Sequence, residues 1–220
     1  MSDLQTKRRR GCLFYGCLTG CVLLIFMLMG LLLGLRHFKK MVNDFTDSQP
    51  TSLPAVEYSP AQIQELDQRI AAFQSAVEAH RSTVPLALSA DDLNALVAAK
   101  PEARSVRGKL HLVIDQDQLK TQVSLPLAEL GLPFFKGRYL NGTANLLVAV
   151  QQGKLTVVAQ GISSKGNSLP SVYEERIRQQ NLAAKLNLDQ RVSTALGLIQ
   201  GVEVKGGKLF ILPKAATPVP

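Results

Sequence analysis

The sequence predicts an α+β protein: an N-terminal transmembrane helix, then helices packed on one face of a curved antiparallel β-sheet. Three observations carry this. Gly11 to Leu35 contain no Asp, Glu, Lys, Arg or His. Apolar residues then recur at helical spacing over residues 60–81 and 89–97, and from about Val106 the spacing becomes two, the period of a strand. A chain of 220 residues has room for one ordinary domain plus an anchor. With 46% hydrophobic and 19% charged residues, it is too apolar to stay disordered.

Residues 1–10 read as a basic cytoplasmic tail and 11–35 as the membrane helix, which at about 1.5 Å per residue spans roughly 37 Å. Tyr15 suits headgroup level, and Arg36, His37, Lys39 and Lys40 close the far end. Four Lys/Arg precede the span and three follow it, and only ten residues lie before it, so the N-terminus is expected in the cytoplasm and the larger part outside. The apolar run is too long for a cleaved signal. Leu18-Thr19-Gly20-Cys21 matches a lipobox for acylation at Cys21, but the run continues from Val22 to Leu35, so an uncut anchor is the simpler reading. Gly16 with Gly20 and Gly30 with Gly34 form two small-x-x-x-small pairs, through which the helix would pack on a second copy or another membrane helix.

Residues 36–58 read as a tether, with turn-forming and solvated residues from 41 onward such as Asn43, Asp47, Ser48 and Pro50. The exported domain is expected over 59–213 and a disordered tail over 214–220. Ser59-Pro60 with Gln62 is a helix start, and Ile63, Leu66, Ile70, Phe73 and Val77 form its apolar stripe. Packing of that stripe on the protein's own sheet is favoured over a coiled-coil seam, since barely two heptads are sustained. Ser89 with Asp92 opens a shorter helix that Pro101 ends. Leu110 to Leu125 alternate as a hairpin about Asp115–Gln118, and Gly142 to Ala159 as a second about Gln152-Gly153, with Asn141-Gly142 expected to turn the chain just before it. Pro170 begins a late helical stretch with Val172, Tyr173, Ile177 and Ala184 inward, and Val202–Val204 and Leu209–Leu212 close the chain as strands about a Gly206-Gly207 turn.

The net charge of +8 does not indicate nucleic acid. Lys7, Arg8, Arg9, Arg10, Arg36, Lys39 and Lys40 stand against Asp3 within residues 1–40, so the other 180 residues keep a surplus of only two. Cys12, Cys17 and Cys21 all lie in the membrane span, which excludes a disulfide framework in the exported domain. That domain has no Cys and only His80 and His111, so no nucleophile–base pair is expected, and no cofactor or metal site. Gly161 to Gly166 and Gly201 to Lys208 brush against nucleophile-elbow and phosphate-loop patterns but miss required residues, and read as turns. What remains is apolar surface: Leu130 to Phe135 is greasy for a connection, and Leu132, Phe134, Phe135 and Tyr139 are candidates for contact with an apolar ligand or the bilayer, or for burial beneath the sheet.

The segment from Leu88 to Leu96, Ser168-Leu169-Pro170 before the late helix, and Ile199 to Ile211 as a closing strand pair resemble membrane-anchored bacterial envelope proteins of the YpmS-like type. More distantly they resemble tubular lipid-binding domains. The resemblance covers roughly residues 85–213 and implies a curved sheet cradling a lipid or other apolar ligand beside the bacterial inner membrane, without covalent chemistry, the domain lying in the periplasm or outside the cell. The alternative expectation is a scaffold that binds envelope proteins through the helix from Ile63 to Val77 or an open sheet edge.

Overall fold

The computed structural model describes residues 9–129 and 135–214, with side chains from Val22 onward except those of residues 102 and 191. The fold class is α+β: an N-terminal apolar helix, then helices and antiparallel sheets. The chain divides into two compact units, Met1–Asp44 and Phe45–Pro220.

The first helix, α1 (Arg9–Phe45), contains the expected span and continues ten residues past Leu35. Arg36 to Phe45 contain no Gly or Pro to stop it. Within α1, Val22–Phe45 is long and apolar enough to cross a membrane, with mean hydropathy 1.8 and none of it buried.

In the second unit, α2 (Pro60–Glu78) starts as its sequence requires. Gln62 N–H donates to Ser59 Oγ at 3.3 Å and Ser59 N–H donates to Gln62 Oε1 at 2.9 Å, a reciprocal capping box. His80, in the left-handed region at φ 51°, lies just beyond its end. Leu66, Phe73 and Val77 of the α2 stripe are buried, so the stripe faces its own domain. It packs toward β1 (Leu86–Leu88) and α3 (Ala90–Ala99), the latter capped by Ser89 and Asp92. Leu66, Leu88 and Ala95 form the centre of this core, with Tyr58, Leu96 and Ile211 around it.

The strands form two sheets. Five lie in the order β2 (Leu110–Asp115), β3 (Gln118–Pro126), β4 (Tyr139–Gln151), β5 (Lys154–Ser164) and β6 (Asn167–Ser168). The other sheet has β8 (Lys208–Pro213) between β1 and β7 (Ile199–Lys205), and β7 lies against β4. Every pairing is antiparallel. Asn141-Gly142, expected to turn the chain, lies inside β4 instead, because Val123 pairs with Gly142 on one side and Ser164 on the other. A Cβ at Gly142 would overlap the Ser163 carbonyl oxygen, so this glycine serves close strand approach. A second core, Ala144, Ala159 and Ile162, is covered by Leu169 and by Ile177 of α4 (Ser171–Arg178). The last helix is α5 (Gln190–Gly197).

Asparagine side chains bond the backbone of β2, and of β5 along the stretch that β6 does not pair. At β2, Asn94 Oδ1 accepts from Leu112 N–H at 2.8 Å and its Nδ2 donates to Leu112 O at 2.7 Å. At β5, Asn181 Oδ1 accepts from Val157 N–H at 3.0 Å and Asn187 Oδ1 from Leu155 N–H at 3.0 Å, while both amides donate to Leu155 O. Glu174 accepts from Gly161 N–H, and Leu182 N–H donates to Val157 O. At Leu112, Leu155 and Val157 these side chains satisfy backbone groups that a further strand would otherwise pair.

Asp92 joins α2, α3 and the chain before α2. It accepts from Ser89 N–H at 2.9 Å, from the Arg69 guanidinium at 3.1 Å and from the Tyr58 hydroxyl at 3.1 Å. Burial raises its carboxyl pKa, but hydrogen bonds from Ser89 and Arg69 outweigh that and hold it below its ordinary value. A depressed folded pKa contributes stability at pH above the ordinary Asp range, and that stability is lost as pH falls through the folded value. The urea midpoint of the detergent-solubilised full chain is therefore expected to fall below about pH 4. Asp92→Asn is expected to be less stable near neutrality and to show a smaller fall; equal acid sensitivity of the two proteins would refute this assignment.

Candidate functional site

The segment after α1 is sewn to the five-stranded sheet, where the sequence suggests a solvated tether. Thr46 is only 7% exposed; Arg138 Nε donates to its hydroxyl at 2.8 Å and Arg138 Nη2 to its carbonyl at 2.9 Å. Asp47 and Tyr139 exchange backbone hydrogen bonds of 2.9 and 2.8 Å, extending the ladder at the start of β4. Asn141 takes the next step. Its Nδ2 donates to Asp47 Oδ2 at 3.0 Å and Gln49 O at 2.9 Å, and its Oδ1 accepts from Ser124 Oγ at 2.8 Å and Thr51 N–H at 3.2 Å. Two donors and two lone pairs are all an amide side chain has, so Asn141 is saturated. Buried Ser164 stands within hydrogen-bonding distance of the carbonyl oxygens of Asn141 (2.7 Å) and Phe45 (2.9 Å). Lys165 pairs with Asp47 at 3.0 Å. The Lys165 ammonium, opposed by burial and assisted by Asn141, holds the Asp47 carboxyl below its ordinary pKa.

This fixed connector leaves a cleft on either side. One, about 300 Å³, is lined by Leu53, Val123, Gln122 and Thr143 together with Asp47, Asn141 and Lys165, the last three already bonded to one another through Asp47. The other, about 430 Å³, lies between the connector, α3 and the start of β2. Asn94 ties α3 to β2 at Leu112; one turn further along α3, Val97 and Ala98 line the gap together with Leu110, and Leu53 and Val56 of the connector form the facing wall. Arg107 is the charged residue of the lining, followed by Gly108 in the left-handed region at φ 71°, where the chain turns into β2. A third groove, of about 90 Å³ and almost wholly apolar, lies along α2 beside Ile70, Phe73, Val77, Leu198 and Ile211. That is room for roughly three waters.

The site residues suggested by the sequence are placed as follows. Phe135 is half-buried in a short turn before β4, and Tyr139 is half-buried at the first position of β4, its backbone used by Asp47. Leu132 and Phe134 lie outside the described residues. Gly30 and Gly34 are exposed on α1 with nothing within 4 Å of an added Cβ, whereas the surroundings of Gly16 and Gly20 lie outside the description. Val172 and Tyr173 face outward rather than inward, with Val172 74% exposed. The reason is that α4 is only eight residues long and Ile177 is its contact with the sheet; Ala183, not Ala184, is the buried alanine beyond it. Leu182, Leu186 and Leu188 are exposed along the outside of the segment that covers β5.

Among the described residues no three His, Cys, Asp or Glu come together as metal ligands. His80 is exposed and His111 half-buried on β2. The large cleft was not legible, because its walls come from three segments, 51–56, 94–98 and 107–110, none with a motif of its own. Family models, curated proteins and solved structures give no match to the chain.

Asn141→Ala is expected to lower the stability of the full chain in detergent by about 2 to 3 kcal/mol, since Gln49 O and the Ser124 hydroxyl lose their bonds to the amide and Thr51 N–H and the Asp47 carboxylate each lose one of theirs. It should also open residues 48–52 to limited proteolysis. Thr143→Ala, exposed on the same strand, should change the urea midpoint by less than about 0.5 kcal/mol.

Proposed function

We propose that the protein is a single-pass membrane-anchored, non-enzymatic domain that binds a lipid or other apolar ligand at the bacterial cell envelope. In this reading α1 spans the inner membrane with its N-terminus in the cytoplasm, and residues from Phe45 onward lie in the periplasm or outside the cell. The observation that carries the ligand is the cleft of about 430 Å³ between the connector and α3, a volume within the usual range of ligand sites, with Leu53, Val56, Val97, Ala98 and Leu110 as apolar walls. A further support is the five-stranded sheet, where Leu110, Leu112, Val123, Leu125 and Leu140 alternate in register yet are all only half-buried. Apolar surface left half covered in this way suits a ligand with no hydrogen-bonding demands. The likeness to YpmS-like envelope proteins points the same way.

The alternative is a scaffold that binds envelope proteins; less supports it, since α2 turns Leu66, Phe73 and Val77 inward and asparagines cap Leu112 of β2 and Leu155 and Val157 of β5. It keeps one favourable observation, the outward strip of Val172, Tyr173, Leu182, Leu186 and Leu188. Self-association through the glycine faces of α1 is compatible with either reading.

Native mass spectrometry of the full chain after gentle detergent extraction is expected to show co-purified lipid, which Ala98→Trp, filling the cleft, should remove without loss of fold. A clean apo mass for the unaltered protein, or lipid retained by the Trp variant, overturns the assignment of the cleft. Protease added to intact spheroplasts is expected to digest residues beyond 45 and spare the N-terminal tail.

A further inference from the structure

Resting on the apolar-cleft reading, the geometry points to a ligand with one negative charge: we infer that the cleft between the connector and α3 takes a long-chain carboxylate, its chain along Leu53, Val97 and Leu110 and its head against Arg107.

Among the described residues the lining contains no acidic side chain, and Arg107 is the one charged side chain there. Arg107 is exposed and forms no ion pair with a carboxylate among the described residues, while one guanidinium nitrogen donates to Lys100 O at 3.2 Å. That bond tethers the guanidinium and leaves the other N–H groups of the fork for a ligand, in the geometry that suits a carboxylate. Neighbouring cations differ: Lys100 is paired with Asp67 at 2.7 Å and Lys109 with Glu129 at 2.5 Å. Asn94, the buried polar residue of the wall, has its amide engaged by Leu112 and offers a head group nothing. The cleft thus has one charged anchor at its edge, apolar walls at Leu53, Val56, Val97, Ala98 and Leu110, and the uncharged polar residues Thr51 and Ser52 beside them. Its volume corresponds to about fourteen methylenes if each takes close to a water's share of liquid, roughly 30 Å³. That is one chain, not two. A single fork also matches one carboxylate better than a doubly charged phosphate, which needs more donors.

The test uses isolated membranes holding the full chain, without ATP or coenzyme A, irradiated with diazirine-bearing palmitate or with palmityl alcohol carrying the same diazirine. Labelled peptides are mapped by mass spectrometry. Palmitate is expected to label residues 51–56, 94–98 and 108–110 at least about fivefold more than the alcohol. Arg107→Gln should abolish that preference, and Arg107→Lys should keep part of it. Equal labelling by the two probes, or a preference unchanged in Arg107→Gln, overturns the charged-ligand inference and leaves the apolar cleft standing. Labelling of the cleft by neither probe overturns both. A diazirine-bearing monoacyl phosphate that labels more strongly than palmitate overturns the choice of carboxylate over phosphate.

Discussion

The structure of the second unit depends on the amide of Asn141. Its four hydrogen bonds fix Asp47, Gln49 and Thr51 to the sheet at one point, and Ser124 holds the amide in place from the neighbouring strand. Together with the Asp47–Tyr139 backbone pair and the bonds from Arg138 to Thr46, that anchor gives a segment of loop composition one path. With it, Thr51 stays where it lines both the cleft of about 300 Å³ and the one of about 430 Å³. Both clefts are therefore products of the connector's position. The chain beyond is held as well, since Val56 and Tyr58 pack on the Leu66, Leu88 and Ala95 core and Tyr58 reaches Asp92.

Separate small cores go with this arrangement. One lies between α2, α3 and the three-stranded sheet, the other between α4 and the five-stranded sheet. Neither covers the apolar rows of β2 and β3 completely, and the half-buried leucines there are a structural consequence of dividing a modest set of helices between two sheets. Hydrogen bonds of side chain to backbone take over where packing is thin, at Asn94, Asn181 and Asn187 above all.

What was legible in the sequence was local. The capping boxes at Ser59 and Ser89 involve residues three apart, the stripe of α2 repeats within two turns, and the hairpins about Asp115–Gln118 and Gln152-Gly153 alternate within a dozen residues. The connector was misleading because its composition is that of a loop, while its structure comes from partners such as Arg138 and Asn141 some ninety positions away. Asn141-Gly142 has the turn preference of its dipeptide, and strand pairing on both sides overrides it. The basic cluster from Arg36 to Lys40 marks the end of the apolar run but not of the helix, because a polar helical turn costs little. The cleft gave no signal for a different reason: Leu53, Val97 and Leu110 are ordinary apolar residues until the fold brings them together.

The asparagines along β2 and β5 have a consequence that concerns many molecules rather than one. Copies of one chain that meet at raised local concentration test each other's strand edges. An open strand edge under those conditions would recruit its like into growing cross-β ribbons. At Leu112 on one flank, and at Leu155 and Val157 on the other, a neighbour meets side-chain amides whose bonds are already made, so these stretches offer no template to extend.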